Sequence, residues 1–323
     1  MEYIRELGSE FHEMPAECGG GIKLPRPGTL VFSGRTAIEA VLKKLPAARS
    51  VLLPSYCCDS MIVPFRKAAI ETRFYDVGWN EGFEIKAEGT ADILLWCNYF
   101  GFKNEIPAFD GVIIEDITHS FLSEQQYHEK SDYLVASIRK WEPLNCGGYC
   151  SVEAGRQLPP KEYIDLKTAA MKLKARYLSS HDAEEKQKYL QMFKESNHWL
   201  GEHYSGLSID PASRAFLDHV DVQAQRRKRR QNAEALYRGL KDKVRFVFKE
   251  EKMDCPLFVP VLLPNRDEVR QKLISNQIYC PVHWPRPEGC NSNLYDRELS
   301  LICDQRYNEE DMEYQIRVLL ASI

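Results

Sequence analysis

Three short stretches bring together residue types able to bind a phosphate or work on a carbonyl. The first, Ser33-Gly34-Arg35-Thr36, precedes an amphipathic segment. A glycine there lets the backbone approach a ligand, and a helix N-terminus offers free N–H groups and partial positive charge to a phosphate. A plain capped helix start has the same letters. The second, Ile113-Ile114-Glu115-Asp116-Ile117-Thr118-His119-Ser120, ends an apolar run on acids. A buried acid is costly unless paired. A protonated pyridine nitrogen is one such partner, and the pairing keeps that ring an electron sink. His119 lies within reach of the phenolic oxygen of the same ring, although a turn-capping Asp and a surface His fit the letters too. The third, Ala136-Ser137-Ile138-Arg139-Lys140-Trp141, sets a lysine after an apolar run, beside an arginine and an aromatic residue. An amine desolvated near another cation loses some preference for its proton, and the free form attacks aldehydes. Ser137 adds a hydroxyl for a phosphate. The bland reading of Lys140 is a solvated surface lysine.

These stretches need strands and helices to position them. Val51-Leu52-Leu53, Arg73–Val77, Ile93–Trp96, Val112-Ile113-Ile114 and Leu134-Val135-Ala136 are short, continuous apolar runs, as expected of strands covered on both faces. Between the strands, Ile38, Val41, Leu42 and Leu45 fall on one face of a helix spanning Thr36–Leu45. Asp59 is placed to cap a second helix running towards Ala69. Strand–helix alternation over this length predicts a parallel α/β sheet, and ligands on such sheets collect at the carboxyl ends of the strands, where all three stretches fall. Residues 160–240 read as long polar helices, Lys161–Arg176, Ala183–Gly201 and Val222–Lys241. Beyond them come strands at Val244–Phe248 and Leu257–Leu263, the latter at an edge or bulge because of Pro260. A helix at Asp267–Ser275, a strand at Tyr279–Val282 and a closing helix at Glu309–Leu320 complete the chain. The expected organisation is an N-terminal arm (1–25), a large domain (26–225) and a small C-terminal α+β domain (226–323).

The bulk properties exclude several classes. At 323 residues, 44% hydrophobic and 28% charged with a formal net charge of -4, the chain lacks the concentrated positive charge of a nucleic-acid binder. Its one basic run, Arg226-Arg227-Lys228-Arg229-Arg230, is expected on a solvated or subunit-facing helix surface, or at an anionic substrate. No apolar run approaches the roughly 20 residues of a membrane span, and Met1–Glu6 does not open a secretion signal. Ten scattered cysteines suggest reduced, mostly buried thiols and a cytoplasmic location, with no zinc-hook spacing and no metal site.

A phosphate loop, then Asp-x-x-His, then Ser with Lys, each after its own strand, resembles the fold-type-I pyridoxal-phosphate enzymes. More narrowly it is similar to the DegT/DnrJ/EryC1/StrS family, mostly sugar aminotransferases. Ser33-Gly34-Arg35-Thr36-Ala37 is similar to that family's Ser-Gly-Thr-Ala loop. Leu53-Pro54-Ser55-Tyr56-Cys57-Cys58 looks like its Val-Pro-Ala-Tyr/Phe-Thr segment, and Glu115–Ser120 resembles Glu-Asp-x-x-Gln/His-Ala/Ser. Tyr279–Pro285 and the tail from Leu299 through Asp311 look like its C-terminal domain, so the resemblance spans nearly the whole chain. It differs at the lysine, which family members place five residues after the serine; here Ser137 and Lys140 are three apart, and Asn145-Cys146-Gly147-Gly148 replaces the usual Gly-Glu/Asp-Gly-Gly. This matches a shorter subgroup with Arg-Lys-aromatic before a glycine-rich turn.

The resemblance implies a pyridoxal 5'-phosphate cofactor held covalently by Lys140, which also shuttles protons. It assigns Asp116 to the pyridine nitrogen, His119 to the ring oxygen, Gly34, Arg35 and Ser137 to the phosphate, and Tyr56 to packing on the ring. The reaction implied is amino transfer from an amino acid such as glutamate to a keto or aldehyde acceptor, with Arg139, His283 and Trp284 as substrate candidates and a homodimer as the assembly. A sugar dehydratase would carry histidine at the position of Lys140. A non-catalytic binding or regulatory protein on the same fold stays open. A nucleotide-binding Rossmann protein does not fit, since Cys18-Gly19-Gly20-Gly21 follows no strand and lacks G-x-G-x-x-G spacing.

Overall fold

The computed structural model describes residues 6–15, 18–102 and 104–323; of the expected N-terminal arm, residues 1–5, 16 and 17 lie outside these. After a short β1 (Leu7–Gly8), the large unit opens with β2 (Thr29–Val31), α1 (Gly34–Leu42), β3 (Ser50–Pro54) and α2 (Asp59–Lys67). It continues through β4 (Glu71–Trp79), β5 (Phe83–Lys86), β6 (Ile93–Cys97), β7 (Val112–Asp116) and β8 (Tyr133–Ala136). A single 3-10 turn at Ile138–Lys140 leads to β9 (Gly148–Cys150). These strands form an eight-stranded sheet in the order β2-β9-β8-β7-β6-β3-β4-β5. Its middle, β8-β7-β6-β3-β4, is parallel, while β5 and β9 run against their neighbours. The five expected strands are all present; β3, β6, β7 and β8 are buried almost throughout, as strands covered on both faces are, whereas β4 alternates buried Tyr75 and Val77 with exposed Arg73 and Asp76.

Helices α3 (Lys161–Ser180), α4 (Ala183–Glu202), α5 (Pro211–Leu217) and α6 (Val222–Leu240) follow. A three-stranded antiparallel sheet comes next, built from β10 (Arg245–Phe246), β11 (Val259–Leu262) and, later in the chain, β13 (Glu298–Leu301) in the order β10-β11-β13. Helix α7 (Arg266–Ser275) and β12 (Ile278–Tyr279) precede β13, and α8 (Glu309–Leu320) closes the chain against α6. β12 pairs in parallel with β1, so the N-terminal segment is stitched onto the C-terminal part. One apolar core, including Val51, Leu94, Val261 and Leu299, runs unbroken from the large sheet to the small one. A second packs Phe32, Leu134 and Trp141 against α3, α4 and α5.

Several expectations are corrected. α1 stops at Leu42 rather than Leu45: the amides of Lys44 and Leu45 bond three residues back, tightening the last turn before Pro46. Cys58, not Asp59, is the N-cap of α2; Asp59 sits in the first turn, where its charge still suits the helix dipole. Pro260 lies in the central strand of its sheet, not at an edge. Its carbonyl accepts from Val247, but having no N–H it returns nothing, which is why β10 ends at Phe246 instead of continuing to Phe248. The strand expected at Tyr279–Val282 is reduced to Ile278–Tyr279. The basic run on α6 is not simply a solvated face. Arg229 is fully buried with its guanidinium 4.5 Å from the Trp141 ring, and Arg226 donates to the carbonyls of Leu122 and Ser123.

Candidate active site

The C-terminal edge of the parallel strands gathers the three stretches. Register places Cys97 of β6 beside Asp116 of β7, and Asp116 beside Val135 of β8, so the segments after β7 and β8 leave the sheet side by side. Thr118 ties them together: its Oγ1 accepts from the Ser137 amide at 2.9 Å, and its carbonyl accepts from Trp141 Nε1 at 2.6 Å. Ser33 caps α1 by accepting from the Thr36 amide. A Cβ on Gly34 would lie 3.3 Å from that of Ser137, a tight contact, so glycine eases the close approach of the α1 N-terminus to the β8 turn.

Between them opens a cleft of about 560 Å³, including its mouth, lined by Gly34, Arg35, Asp116, His119, Ser137, Arg139, Lys140 and Trp284. The Nε atoms of Arg35 and Arg139 are buried without hydrogen-bond partners among the described residues. Burial, with Arg139 nearby, lowers the Arg35 guanidinium from its ordinary range. Two buried cationic N–H groups with no acceptor among the described residues, flanking a helix N-terminus and a serine, make a donor set that suits a phosphate. Asp116 Oδ1 accepts from the Thr118 amide at 2.9 Å, and burial raises the carboxyl although that bond and Lys140 pull it down. Such an acid suits a cationic partner brought by a ligand.

Lys140 ends the 3-10 turn with its Nζ 5.8 Å from the Trp284 ring centroid, and it has no ion pair or hydrogen bond among the described residues. His119 is buried, stacked with Trp284 at a centroid distance of 5.9 Å, and its Nδ1 accepts from the Phe100 amide at 3.0 Å. Burial first, then Lys140 and His283, push it well below the ordinary histidine range, so it is neutral. Arg139 and Lys140 also border a second chamber, about 1200 Å³ including its opening, whose walls carry Glu10, Arg229, Tyr279 and His283. Against burial, Lys167 and then Arg139 hold the Glu10 carboxyl down at about 2. Gly8, Ser9, Glu10 and Phe11 thus lie along this chamber.

All the sequence candidates but one line a cavity at this edge; His283 belongs to the second chamber and Trp284 to the first. The exception is Tyr56, fully buried behind Trp284 (ring centroids 5.1 Å apart) with its hydroxyl on Glu298, so it backs the wall instead of facing a ring. Sequence reasoning missed Thr118, Cys97, Cys58 and Leu200. Thr118 stands inside a stretch already singled out, but Leu200 comes from α4, and nothing local marks it.

No protein-family model matches the chain, and no curated protein matches it. Solved structures do match, and the architecture they share is that of aminotransferases. Spr1654 of Streptococcus pneumoniae, assigned as a sugar aminotransferase and solved in its PLP form, superposes with a TM-score of 0.63 at 12% identity over 91% of this chain and 86% of that one. A DegT DnrJ EryC1 StrS aminotransferase from Brucella abortus gives 0.57 at 15% identity over 91% and 85%. DesI, solved in the presence of its TDP-sugar product, gives 0.60 at 12% identity over 92% and 80%. The chain therefore has the fold of these proteins, a large mainly parallel α/β sheet followed by a small α+β unit.

Proposed function

We propose that this chain is a pyridoxal-phosphate-dependent aminotransferase, moving an amino group from an amino acid, glutamate first among candidates, to a keto or aldehyde acceptor of the nucleotide-sugar class. One observation carries the reading. Buried Arg35 and Arg139 N–H groups, unpartnered among the described residues and beside Gly34 and Ser137, share a single cleft with a lysine that has no ion pair among those residues and a buried acid whose carboxyl is raised. A phosphate, an aldehyde and a protonated ring nitrogen answer those three features, and pyridoxal phosphate carries all of them. When bound, it supplies an electron sink.

The chain's residues do the rest. Arg35, Arg139, the Ser137 hydroxyl and the α1 N-terminus would hold the phosphate, Asp116 the ring nitrogen and His119 the ring oxygen. Lys140 would hold the aldehyde carbon through its Nζ, and the same Nζ would hold and move the proton of the transfer. The acceptor enters by the second chamber, past Arg139 and His283. Ten free thiols suit a reducing cytoplasm. The reading also implies a homodimer, to be tested by light scattering, and an arm (1–25), large domain (26–225) and small domain (226–323). Among the described residues no helix is long and apolar enough to cross a membrane.

The test is an absorption spectrum of the protein with pyridoxal phosphate, beside Lys140→Ala, before and after adding glutamate. A visible band present in the native chain, absent from the variant and bleached by glutamate is expected. Absence of a lysine-dependent band overturns the proposal, and a band that no amino acid alters points to a sensor on this fold.

A further inference from the structure

Three polar side chains of the C-terminal part are buried in a line that ends on the second chamber. Glu298 and Ser300, both on β13, are fully buried, and His283 is 5% exposed. Ser300 Oγ donates to Glu298 Oε1 at 2.5 Å, and His283 Nδ1 lies 2.8 Å from the same Oγ. A hydroxyl has one proton. With that proton on the carboxylate, Ser300 can only accept from His283, so the imidazole carries its hydrogen on Nδ1. The other carboxylate oxygen, Oε2, accepts from the His283 backbone amide at 3.1 Å and from the Tyr56 hydroxyl at 3.2 Å. His283 Nε2 has no partner among the described residues, and the residue lines the chamber that Lys140 borders.

His119 shows the reverse arrangement. Its Nδ1 accepts from the Phe100 backbone amide, a group that can only donate, so its hydrogen sits on Nε2. The two rings are 5.8 Å apart at 75°. Two neutral histidines at the edges of adjoining cavities therefore present opposite polarity, a donor from His119 and a lone pair from His283.

We propose that Glu298 and Ser300 lock His283 in its Nδ1–H form, so that Nε2 serves as the hydrogen-bond acceptor for a hydroxyl or ammonium group of the ligand in the chamber beside Lys140. Glu298 and Ser300 are positioning residues that act through His283. The ligand's role in amino transfer rests on the proposed function; the tautomer does not. Burial, and then Lys140, keep His283 well below the ordinary histidine range, so it accepts as a neutral ring. The lock is itself sensitive to pH. Burial raises Glu298 to about 7, against the pull of Ser300, the His283 amide, Tyr56 and Arg266. The charged and titratable groups around it are Tyr56 from the segment before α2, His283, Arg266 of α7, whose Nη1 donates to the Glu298 carbonyl, and Cys280. Once protonated, Glu298 donates to Ser300, Ser300 donates to Nδ1, and the lone pair at Nε2 is lost.

The experiment is nitrogen-15 NMR of the imidazoles of the full chain at pH 8, with His283 among the eight histidines assigned through its loss in His283→Gln. The expected spectrum has a pyridine-like Nε2 and a protonated Nδ1 for His283, and the reverse for His119. In Glu298→Gln the obligate donor at the His283 backbone must keep the amide oxygen. The NH2 then faces Ser300, and the tautomer of His283 should invert. Ser300→Ala, a smaller change with its fold checked by thermal melting, removes the acceptor at Nδ1 and should release the lock, so that the Nε2–H form becomes populated, and lowering the pH of the native chain through about 7 should invert the tautomer. A proton on Nε2 in the native chain at pH 8, or an unchanged tautomer in both folded variants, overturns the proposal. A correct tautomer pattern in a chain with no Lys140-dependent band would overturn the proposed function and leave this inference standing.

Discussion

Asp116→Asn separates the two demands made on the cleft. The native carboxylate accepts from the Thr118 amide at 2.9 Å and is buried, and burial raises its pKa. Asparagine keeps the acceptor for Thr118 and loses only the charge. Breaking a buried charge pair by removing one partner costs about 3–5 kcal/mol. Because the amide still fills the site and still bonds Thr118, the low end applies. About 3 kcal/mol corresponds to roughly 100-fold weaker cofactor binding. Stability without cofactor should move the other way. For an acid whose folded pKa lies above its unfolded value, ionisation costs more in the fold than in the open chain. The native protein therefore loses stability as pH rises through the folded pKa. The asparagine variant lacks that loss, so at neutral pH without cofactor it should melt higher than the native chain. The assays are thermal melts without cofactor and absorption titration with pyridoxal phosphate. A variant that melts lower and binds the cofactor as tightly as before would refute the assignment of Asp116 as a carboxylate waiting for a cation.

Two further outcomes follow from the same geometry. Arg35→Met should weaken pyridoxal phosphate by roughly 10- to 100-fold, the loss of a charged hydrogen bond worth about 1.5–3 kcal/mol, yet leave phosphate-free pyridoxal unaffected; equal losses in parallel titrations would remove the phosphate from Arg35. Gly101→Ala should lose about 3 kcal/mol or more in urea unfolding, because its φ is +82° and the new Cβ would fall 1.9 Å from the Cys255 carbonyl oxygen. A native-like midpoint for that variant would contradict the docking of the Phe100–Gly101 loop that orients His119.

What could be read from the chain alone was local. Apolar runs such as Ile93–Trp96 and Leu134–Ala136, too short for buried helices and alternating with amphipathic segments, point to buried parallel strands. Asp116 and Lys140 each stand within a few residues of a strand end, so their meeting at one edge follows once β7 and β8 are parallel and adjacent, whereas Gly34 arrives from β2, across the antiparallel β9. The tertiary structure alone decided which polar residues are buried. Glu298-Leu299-Ser300-Leu301 does not read as a core strand, because half its letters are polar; all four residues are buried, the polar pair satisfied by His283 and Tyr56, the latter 242 residues away. Arg229 looks like one cation in a surface run until Trp141 and the carbonyls of Pro256 and Leu257 enclose it. Tyr56 appears poised to face a ring until Trp284 is found in front of it. Pattern reports the period at which a chain hides its apolar side chains. A buried carboxylate such as that of Glu298 is hidden because distant partners satisfy it, and those partners are fixed by packing.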